Sequence, residues 1–406
     1  TLRGISLGIS TRRNYQHEDV KSFSHILGYI SKIGKEELEK DTTNYTPTDY
    51  VGKIGIEFQY EKYLKGQKGK EQIEVDSFGR KKEKMEYVAP KSGNNIVLSI
   101  DFNIQKKIEE SLNFALKKNN KKRGVGIALD PRNGEILALV SLPTYDNNIF
   151  SRGITKDEYK KIIEDPDHPL FNRSIIGQYP SGSTVKPIIA LAALQEKIVN
   201  RWTSIYSSGG IKVSSWYFPD WKAGGHGSTD VVKALSESVN TYFYYIGGGY
   251  EDFKGLGIHT ITSYASLSGI GKKTGIDLPG ESSGLLPNKE WKEKTKNETW
   301  YIGDTYHLSI GQGDILVTPL QVANWTSLIA NGGTLYKPTL MKKITDSSDK
   351  IIMQAQSKVI SQGVFNSENI KIIHEGMRES VRYGSAKNLY DPTIKVAGKT
   401  GTAQWS

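Results

Sequence analysis

A serine and a lysine stand three residues apart, Ser183 and Lys186, inside Tyr179-Pro-Ser-Gly-Ser-Thr-Val-Lys-Pro187. On a helix that spacing puts both side chains on one face, about one turn apart. A serine hydroxyl is a weak nucleophile until a base takes its proton. A lysine amine is that base when burial or a nearby cation keeps it neutral. Gly182 permits a tight turn just before the serine. A helix start there offers backbone N–H groups to a developing oxyanion.

A lone Ser-x-x-Lys is weak evidence, and Ser347-Ser-Asp-Lys350 is a second copy. That copy sits among Asp and Ser and reads as a turn. The Ser183 copy runs into Ile188-Ile-Ala-Leu-Ala-Ala-Leu194, a buried-helix composition. Ser238-Val-Asn240 lies between Val231-Val-Lys-Ala-Leu235 and Thr241-Tyr-Phe-Tyr-Tyr-Ile246. It reads as the link between two packed helices, where a polar pair can face a cleft. Ser92-Gly-Asn94 and Ser367-Glu-Asn369 have the same form but lie in polar stretches. Lys399-Thr-Gly-Thr402 follows the apolar Ile394-Lys-Val-Ala397. A glycine at a strand edge admits a substrate backbone, and the lysine with two hydroxyls can hold a carboxylate. Lys273-Thr-Gly275 leads into Ile276-Asp-Leu-Pro-Gly280 and reads as a loop.

Several elements must position these groups. Residues 1–93 are polar and rich in Lys and Glu, with short β-like runs and helix signals from Thr48 to Leu64. They read as an elongated α+β pedestal. Lys81-Lys-Glu-Lys84 with Pro90-Lys-Ser-Gly93 reads as a linker. Asn94–Ile100 is expected as a strand and Ile104–Lys118 as an amphipathic helix. Gly124–Leu129 and Glu135–Leu142 are expected to form a hairpin across Asp130-Pro-Arg-Asn-Gly134. Helices are expected from Pro187 to about Tyr250 and from Pro319 to Asn331, and a strand at Val396–Gly401. This order suits an antiparallel sheet flanked by helices, an α+β fold.

With Ser183, Ser238 and Lys399 in that order, the chain resembles the class B penicillin-binding proteins, and more narrowly their elongation type. Ser-x-x-Lys with Ser-x-Asn and Lys-Thr-Gly partners is the known signature of penicillin-binding proteins and class A β-lactamases. Further likeness lies in Gly52-Lys-Ile-Gly-Ile-Glu57, Tyr60-Glu61, Leu64-Lys-Gly66 and Glu74-Val-Asp-Ser-Phe-Gly-Arg80, which resemble the pedestal signature. Gly126-Ile-Ala-Leu-Asp-Pro-Arg-Asn-Gly-Glu-Ile-Leu-Ala138, Tyr306-His-Leu-Ser-Ile-Gly-Gln-Gly313 and Thr318-Pro-Leu-Gln321 resemble blocks of the transpeptidase domain. The resemblance implies a dimerisation-type pedestal over 1–93. It implies a serine β-lactamase-like transpeptidase domain over 94–406.

The resemblance also implies the chemistry. A stem peptide ending in D-Ala-D-Ala would be the donor, and β-lactams would be inhibitors. Ser183 would be the nucleophile and Lys186 its base. Ser238 would pass the proton to the leaving amine, and Asn240 would orient Lys186 or the substrate amide. Lys399, Thr400 and Thr402 would bind the terminal carboxylate, with Gly401 giving close approach. N–H groups of Ser183 and Thr402 would form the oxyanion hole. No cofactor is expected. The implied partners are a membrane-embedded SEDS-type glycosyltransferase and other proteins of the elongation machinery. The implied location is the bacterial inner membrane, with the catalytic domain periplasmic.

Members of the family carry one N-terminal membrane anchor, whereas no apolar run here is long enough to span a bilayer. The anchor is therefore expected outside residues 1–406. Arg3-Gly-Ile5 resembles the opening of the pedestal. Arg12-Arg-Asn-Tyr15 and His25-Ile-Leu-Gly-Tyr29 resemble parts that follow a longer head segment. The family's sheet continues beyond Lys-Thr-Gly-Thr, so final strands and a helix are expected to be missing, and the numbering is expected to join separate pieces.

Rival readings leave different marks. A Ser-His-Asp triad needs a histidine paired with a Gly-x-Ser-x-Gly elbow, but Ser183 is followed by Thr-Val-Lys and none of the seven histidines pairs with such a motif. His307 is expected to pack near Gly311-Gln-Gly313. Asp220 and His226, in Pro219-Asp-Trp-Lys-Ala-Gly-Gly-His-Gly227, make at most half a metal site. Some relatives bind zinc near this position with a cysteine included, and this chain has no cysteine. A β-lactamase needs a deacylating glutamate, and Glu293-Lys-Thr-Lys-Asn297 keeps only the outer residues of the class A motif. A D,D-carboxypeptidase, or a non-catalytic β-lactam-binding sensor or scaffold, would keep the same three motifs.

Composition bounds the rest. With 37% hydrophobic and 24% charged residues over 406 positions, the chain has the make-up of an ordinary globular protein of two or more domains. The net charge of +10 admits nucleic acid, anionic lipid or an acidic polymer as partners. No zinc finger, RNA-binding aromatic signature or basic recognition helix accompanies it, so it reads as a lysine-rich solvated surface without a nucleic-acid partner.

Overall fold

The computed structural model describes residues 12–16, 19–78 and 81–404. Arg3-Gly-Ile5 and the end of the Glu74–Arg80 signature lie outside them. In the pedestal, Ile30–Lys32 pairs antiparallel with Tyr50–Gly52, and Lys70–Val75 with Lys81–Val88. The expected helix over Thr48–Leu64 is instead a strand followed by two short helices, Gly55–Gln59 and Glu61–Leu64. Glycines cause the break. A Cβ on Gly52 would lie 2.1 Å from the Glu57 carbonyl oxygen, and one on Gly55, at φ +66°, would lie 2.5 Å from Gly28 N. Only glycine allows such contacts. The supposed linker Lys81–Lys84 is part of a strand, because a backbone ladder can hold a charged run.

The first part packs directly on the larger one. Ile26, Ile56 and Tyr60 share a core with Ile136, Leu139, Leu320, Leu340 and Ile344 of the larger part. Tyr60 donates its hydroxyl to Asp277 Oδ2 at 2.7 Å, and Asp277 also accepts from the Leu340 and Met341 amides at 2.7 and 2.8 Å.

In the larger part, Gly124–Leu129 and Ile136–Leu142 form the expected antiparallel hairpin, with Gly124 opposite Leu142. The helix Phe102–Lys118, capped by the Asp101 carboxylate, packs against it. Asn95–Leu98 pairs with Met341–Thr345, which pairs with Ile351–Gln354. The helix Lys186–Gln195 has no polar stripe, and every residue from Lys186 to Leu194 is buried. An all-apolar helix belongs in the centre of a core. Around it stand the helices Val231–Ser236, Asn240–Gly248, Gly257–Leu267 and Ser367–Arg382. Their buried Leu235, Tyr242, Phe243, Ile261 and Ile373 belong to the same cluster.

Two expectations fail here. Helices do not dominate the whole stretch from Pro187 to Tyr250. Ile205–Ser207 pairs with Gly227–Thr229, and Gly210–Val213 with Trp216–Pro219. Glycine and aromatic residues favour these tight ribbons over helix. Val396–Gly401 is not a strand. Among the described residues it has no ladder partner. Its neighbour is the end of the helix Ser367–Arg382, which reaches it through Gly398 N to Met377 O at 3.0 Å and Arg378 Nη1 to Val396 O at 2.6 Å.

Candidate active site

Ser183 sits in a 3₁₀ turn, Gly182–Val185, that feeds directly into the helix starting at Lys186. In a 3₁₀ turn residues i and i+3 eclipse, so the one-face relation survives outside an α-helix. Gly182 has φ +52°, and a Cβ there would lie 2.6 Å from the Thr402 carbonyl oxygen. The turn is thereby pressed against the Lys399–Thr402 segment. Gly182 N also donates to Gly311 O at 2.8 Å. Ser183 is partly exposed, and among the described residues its hydroxyl has no hydrogen-bond partner.

Lys186 is fully buried. Its Nζ donates to Asn240 Oδ1 at 2.6 Å and to Ser238 O at 2.8 Å, and lies 3.4 Å from Ser238 Oγ. The Phe243 ring centroid is 5.1 Å away. Burial pushes this amine well below the ordinary lysine value, and the nearby Lys399 charge pushes the same way, against a smaller opposing pull from Asp220.

Ser238 lies between the helices Val231–Ser236 and Asn240–Gly248, as expected, and takes a left-handed backbone, φ +60°. Such a conformation is uncommon for a residue with a Cβ and often marks a functional turn. Lys399 Nζ donates to Ser238 Oγ at 2.8 Å and to Thr400 O at 3.0 Å. One serine hydroxyl therefore stands between two lysine amines. Lys399 is pulled down to about 7 by burial.

The Lys399–Thr402 segment is held from two sides. Gln312 Nε2 donates to Thr402 O at 3.1 Å, and Ser385 Oγ and Thr400 Oγ1 are 2.8 Å apart. A Cβ on Gly401 would lie 2.8 Å from Thr184 Cγ2, so a glycine is needed beside the Ser183 turn.

Residues 124–406 match the penicillin binding protein transpeptidase domain, and residues 1–98 the penicillin-binding protein dimerisation domain. The chain belongs to the penicillin-binding protein transpeptidase family. It is 36% identical over 404 residues to the peptidoglycan D,D-transpeptidase MrdA of Acinetobacter baumannii, covering 99% of this chain and 58% of that protein. The chain thus spans less than two thirds of that relative. Among solved structures, the Helicobacter pylori penicillin-binding protein PBP2 in complex with MreC is 33% identical, with a TM-score of 0.83 over 96% of this chain and 69% of that one. Pseudomonas aeruginosa PBP2 in complex with WCK 5153 is also 33% identical, with a TM-score of 0.80 over 98% of this chain and 82% of that one.

In this penicillin-binding protein the decoy motifs stay apart from the cleft. Ser347–Lys350 is the turn joining Met341–Thr345 to Ile351–Gln354. Thr274 and Gly275 give their amides to Glu281 at 2.7 and 2.9 Å. His307 carries the Gly311–Gly313 loop, accepting from Gln312 N at 2.9 Å through its carbonyl.

Asp220 and His226 are adjacent, but their partners are those of a cap. Asp220 Oδ2 accepts from Thr241 N at 2.8 Å and Thr241 Oγ1 at 2.7 Å, and Oδ1 from Asn240 N at 3.1 Å and Trp221 N at 2.9 Å. The carboxylate thus holds the N-terminus of the helix that carries Asn240. His226 Nδ1 is 2.6 Å from Glu237 Oε2, and its Nε2 is 3.6 Å from Asp220 Oδ1. Among the described residues no three His, Cys, Asp or Glu side chains gather as a metal site. Sequence reasoning missed Asp220 as a cap, Gln312 as a brace and Ser385 altogether. An aspartate twenty residues from a helix start, or a serine in a Tyr-Gly-Ser loop, carries no local signal.

Proposed function

We propose that the protein is a peptidoglycan D,D-transpeptidase acting through a Ser183 acyl-enzyme. The observation that carries this reading is Lys186. Its amine is sealed from water, held by Ser238 and Asn240, and stands one turn from Ser183. A neutral lysine donates two N–H groups and keeps a lone pair to accept a proton.

In the proposed reaction, Ser183 Oγ attacks the carbonyl between the two D-alanines and its proton passes to Lys186. The tetrahedral oxyanion faces the N–H groups of Ser183 and Thr402, typically worth about 10²–10³ in rate per donor. The C–N bond breaks, and the leaving D-alanine amine takes a proton through Ser238, which touches both lysine amines. An amine from a second stem peptide then attacks the ester, forms the new amide and frees Ser183. Lys399, Thr400 and Thr402 hold the donor carboxylate, and Gly401 keeps that segment close to the nucleophile turn. Asn240 keeps Lys186 aimed.

The division into a dimerisation-type pedestal over 1–93 and a transpeptidase domain over 94–406 belongs to this proposal. So do a periplasmic site at the inner membrane and assembly with a SEDS-type glycosyltransferase and elongation proteins. The MreC complex of the Helicobacter neighbour supports the last. Among the described residues no helix is long and apolar enough to cross a membrane.

Labelling with a fluorescent penicillin and peptide mapping tests the assignment. The adduct is expected on Ser183 and should persist for many minutes. An adduct on Ser347, or full labelling of Ser183→Ala, would overturn it. Cephalosporin hydrolysis at typical turnover, about 10 per second, would point to a β-lactamase instead. Cross-linking of lipid-linked pentapeptide beside a partner glycosyltransferase separates the transpeptidase from a carboxypeptidase or a sensor.

A further inference from the structure

The two walls of the cleft, the Ser238 turn and the Lys399–Thr402 segment, meet at a loop that the mechanism does not use. The helix Ser367–Arg382 packs against Val231–Ser236, which leads to Ser238. The same helix binds Val396 and Gly398 through Arg378 and Met377. Just past its end, Gly384 N donates to Glu379 O at 3.1 Å, and Ala386 N to Ser380 O at 3.0 Å, which fixes the loop between them. Ser385 N donates to Ser236 O at 3.0 Å, two residues before Ser238. The Ser385 hydroxyl lies 2.8 Å from Thr400 Oγ1 and 3.3 Å from Ser380 Oγ. Thus the backbone of Ser385 holds one wall and its side chain holds the other. Gly384 makes the seat possible, since a Cβ there would lie 2.2 Å from Ser236 O and 2.5 Å from Ser236 Oγ.

We propose that Ser385 is a positioning residue for carboxylate recognition: it sets the Thr400 hydroxyl against the Ser238 turn, on the seat that Gly384 allows. This rests on the reading of Lys399–Thr402 as the carboxylate site. The Val396–Gly401 segment is tied to the helix Ser367–Arg382 through Gly398 N and Arg378, and Ser385 adds a bond at the Thr400 hydroxyl. A hydroxyl pair contributes modestly, and its loss should be felt only by ligands whose carboxylate uses Thr400.

The test compares acylation of the intact protein by benzylpenicillin and by its methyl ester, which lacks the carboxylate charge. Ser385→Ala should lower the second-order rate constant for the acid by roughly three- to tenfold, and leave that for the ester within about twofold. Ser385→Thr, which restores the hydroxyl on an exposed residue, should return the acid to near its original rate. Gly384→Ala should slow both compounds, because the added methyl pushes on the carbonyl that leads to Ser238. Equal losses for acid and ester with Ser385→Ala, or no loss with the acid, would overturn the proposal. If the unaltered protein is not acylated at Ser183, the proposed function falls and this inference with it. If it is acylated and Ser385→Ala behaves like the parent, only this inference falls.

Discussion

Among the described residues two lysines are buried, Lys186 and Lys292, and they have opposite electrostatics. Lys292 Nζ is 2.8 Å from Asp304 Oδ2 and 3.4 Å from Glu298 Oε2. Burial alone would lower it, but the hydrogen bond and charge of Asp304, with Glu298, outweigh burial and raise it above the ordinary value. Lys186 is buried more completely and bonds only to a carbonyl, an amide and a hydroxyl. With no carboxylate bonded to it and only a smaller pull from Asp220, desolvation and the Lys399 charge push the amine toward the neutral form. A buried lysine is therefore neither a base nor an ion pair by virtue of burial. The partner decides, and the neutral partners around Lys186 suit a proton acceptor.

The sharpest way to break this contrast is Lys186→Met, which keeps length and apolar volume but removes the amine. Acylation of Ser183 by penicillin should fall by about 10²–10⁴, the usual contribution of a positioned base. Folding should survive, because no buried charge is left without its partner. Stopped-flow fluorescence gives the rate and calorimetry the Tm. A loss below tenfold would remove Lys186 from the chemistry.

A smaller loss is expected from Asn240→Ala. It deletes the 2.6 Å acceptor and leaves Lys186 held by Ser238 alone. One lost hydrogen bond is worth about 0.5–1.5 kcal/mol, so acylation should slow by roughly three- to tenfold. Asp220 still caps the same helix through the backbone amides, so Tm should move little.

The pH dependence sharpens the comparison on the other side of Ser238. Lys399 must be an ammonium to hold a carboxylate, and burial pulls it down to about 7. Affinity for a penicillin acid should therefore decline as pH rises through about 7, while the methyl ester should show no such decline. Lys186 is shifted the same way, well below the ordinary lysine value, by burial and by the Lys399 charge. The expected decline steepens toward about tenfold for each pH unit above 7. An identical profile for acid and ester would place the titrating group elsewhere.

How far the sequence discloses this site follows from what each contact depends on. The gathering of Lys186, Ser238, Asn240 and Lys399 is legible from three short motifs joined by a family resemblance, and the buried helix behind Ser183 separates it from Ser347. The Gly124–Leu142 hairpin is legible from its turn residues. The ribbons within 205–229 are hidden by glycine-rich, aperiodic sequence. Val396–Gly401 looks like a strand because apolar residues flank it, yet a strand is made by a ladder, and this segment lies against a helix end. Ser385, Gln312 and Asp220 act on backbone or hydroxyl groups far along the chain. No periodicity announces such contacts; only the fold brings them together.

The smallest effect should come from Lys292→Met, the mirror of the first change. Lys292 is tied to a helix start, where Asp304 also accepts from Tyr301 N at 2.7 Å. Its removal leaves Asp304 and Glu298 without their cation, but Glu298 is half exposed and water screens it. The cost should be about 1 kcal/mol, the upper range for partly exposed pairs. Because the Lys292 value is raised on folding, its contribution is fully present below the unfolded lysine value and is lost as pH rises through the folded one. At neutral pH the destabilisation should therefore be flat with pH and reduced by high salt. Acylation of Ser183 should stay at the parent rate. Urea melts at low and high salt, beside the penicillin assay, check both. A drop in acylation comparable to that of Lys186→Met would erase the distinction between a paired lysine and a catalytic one.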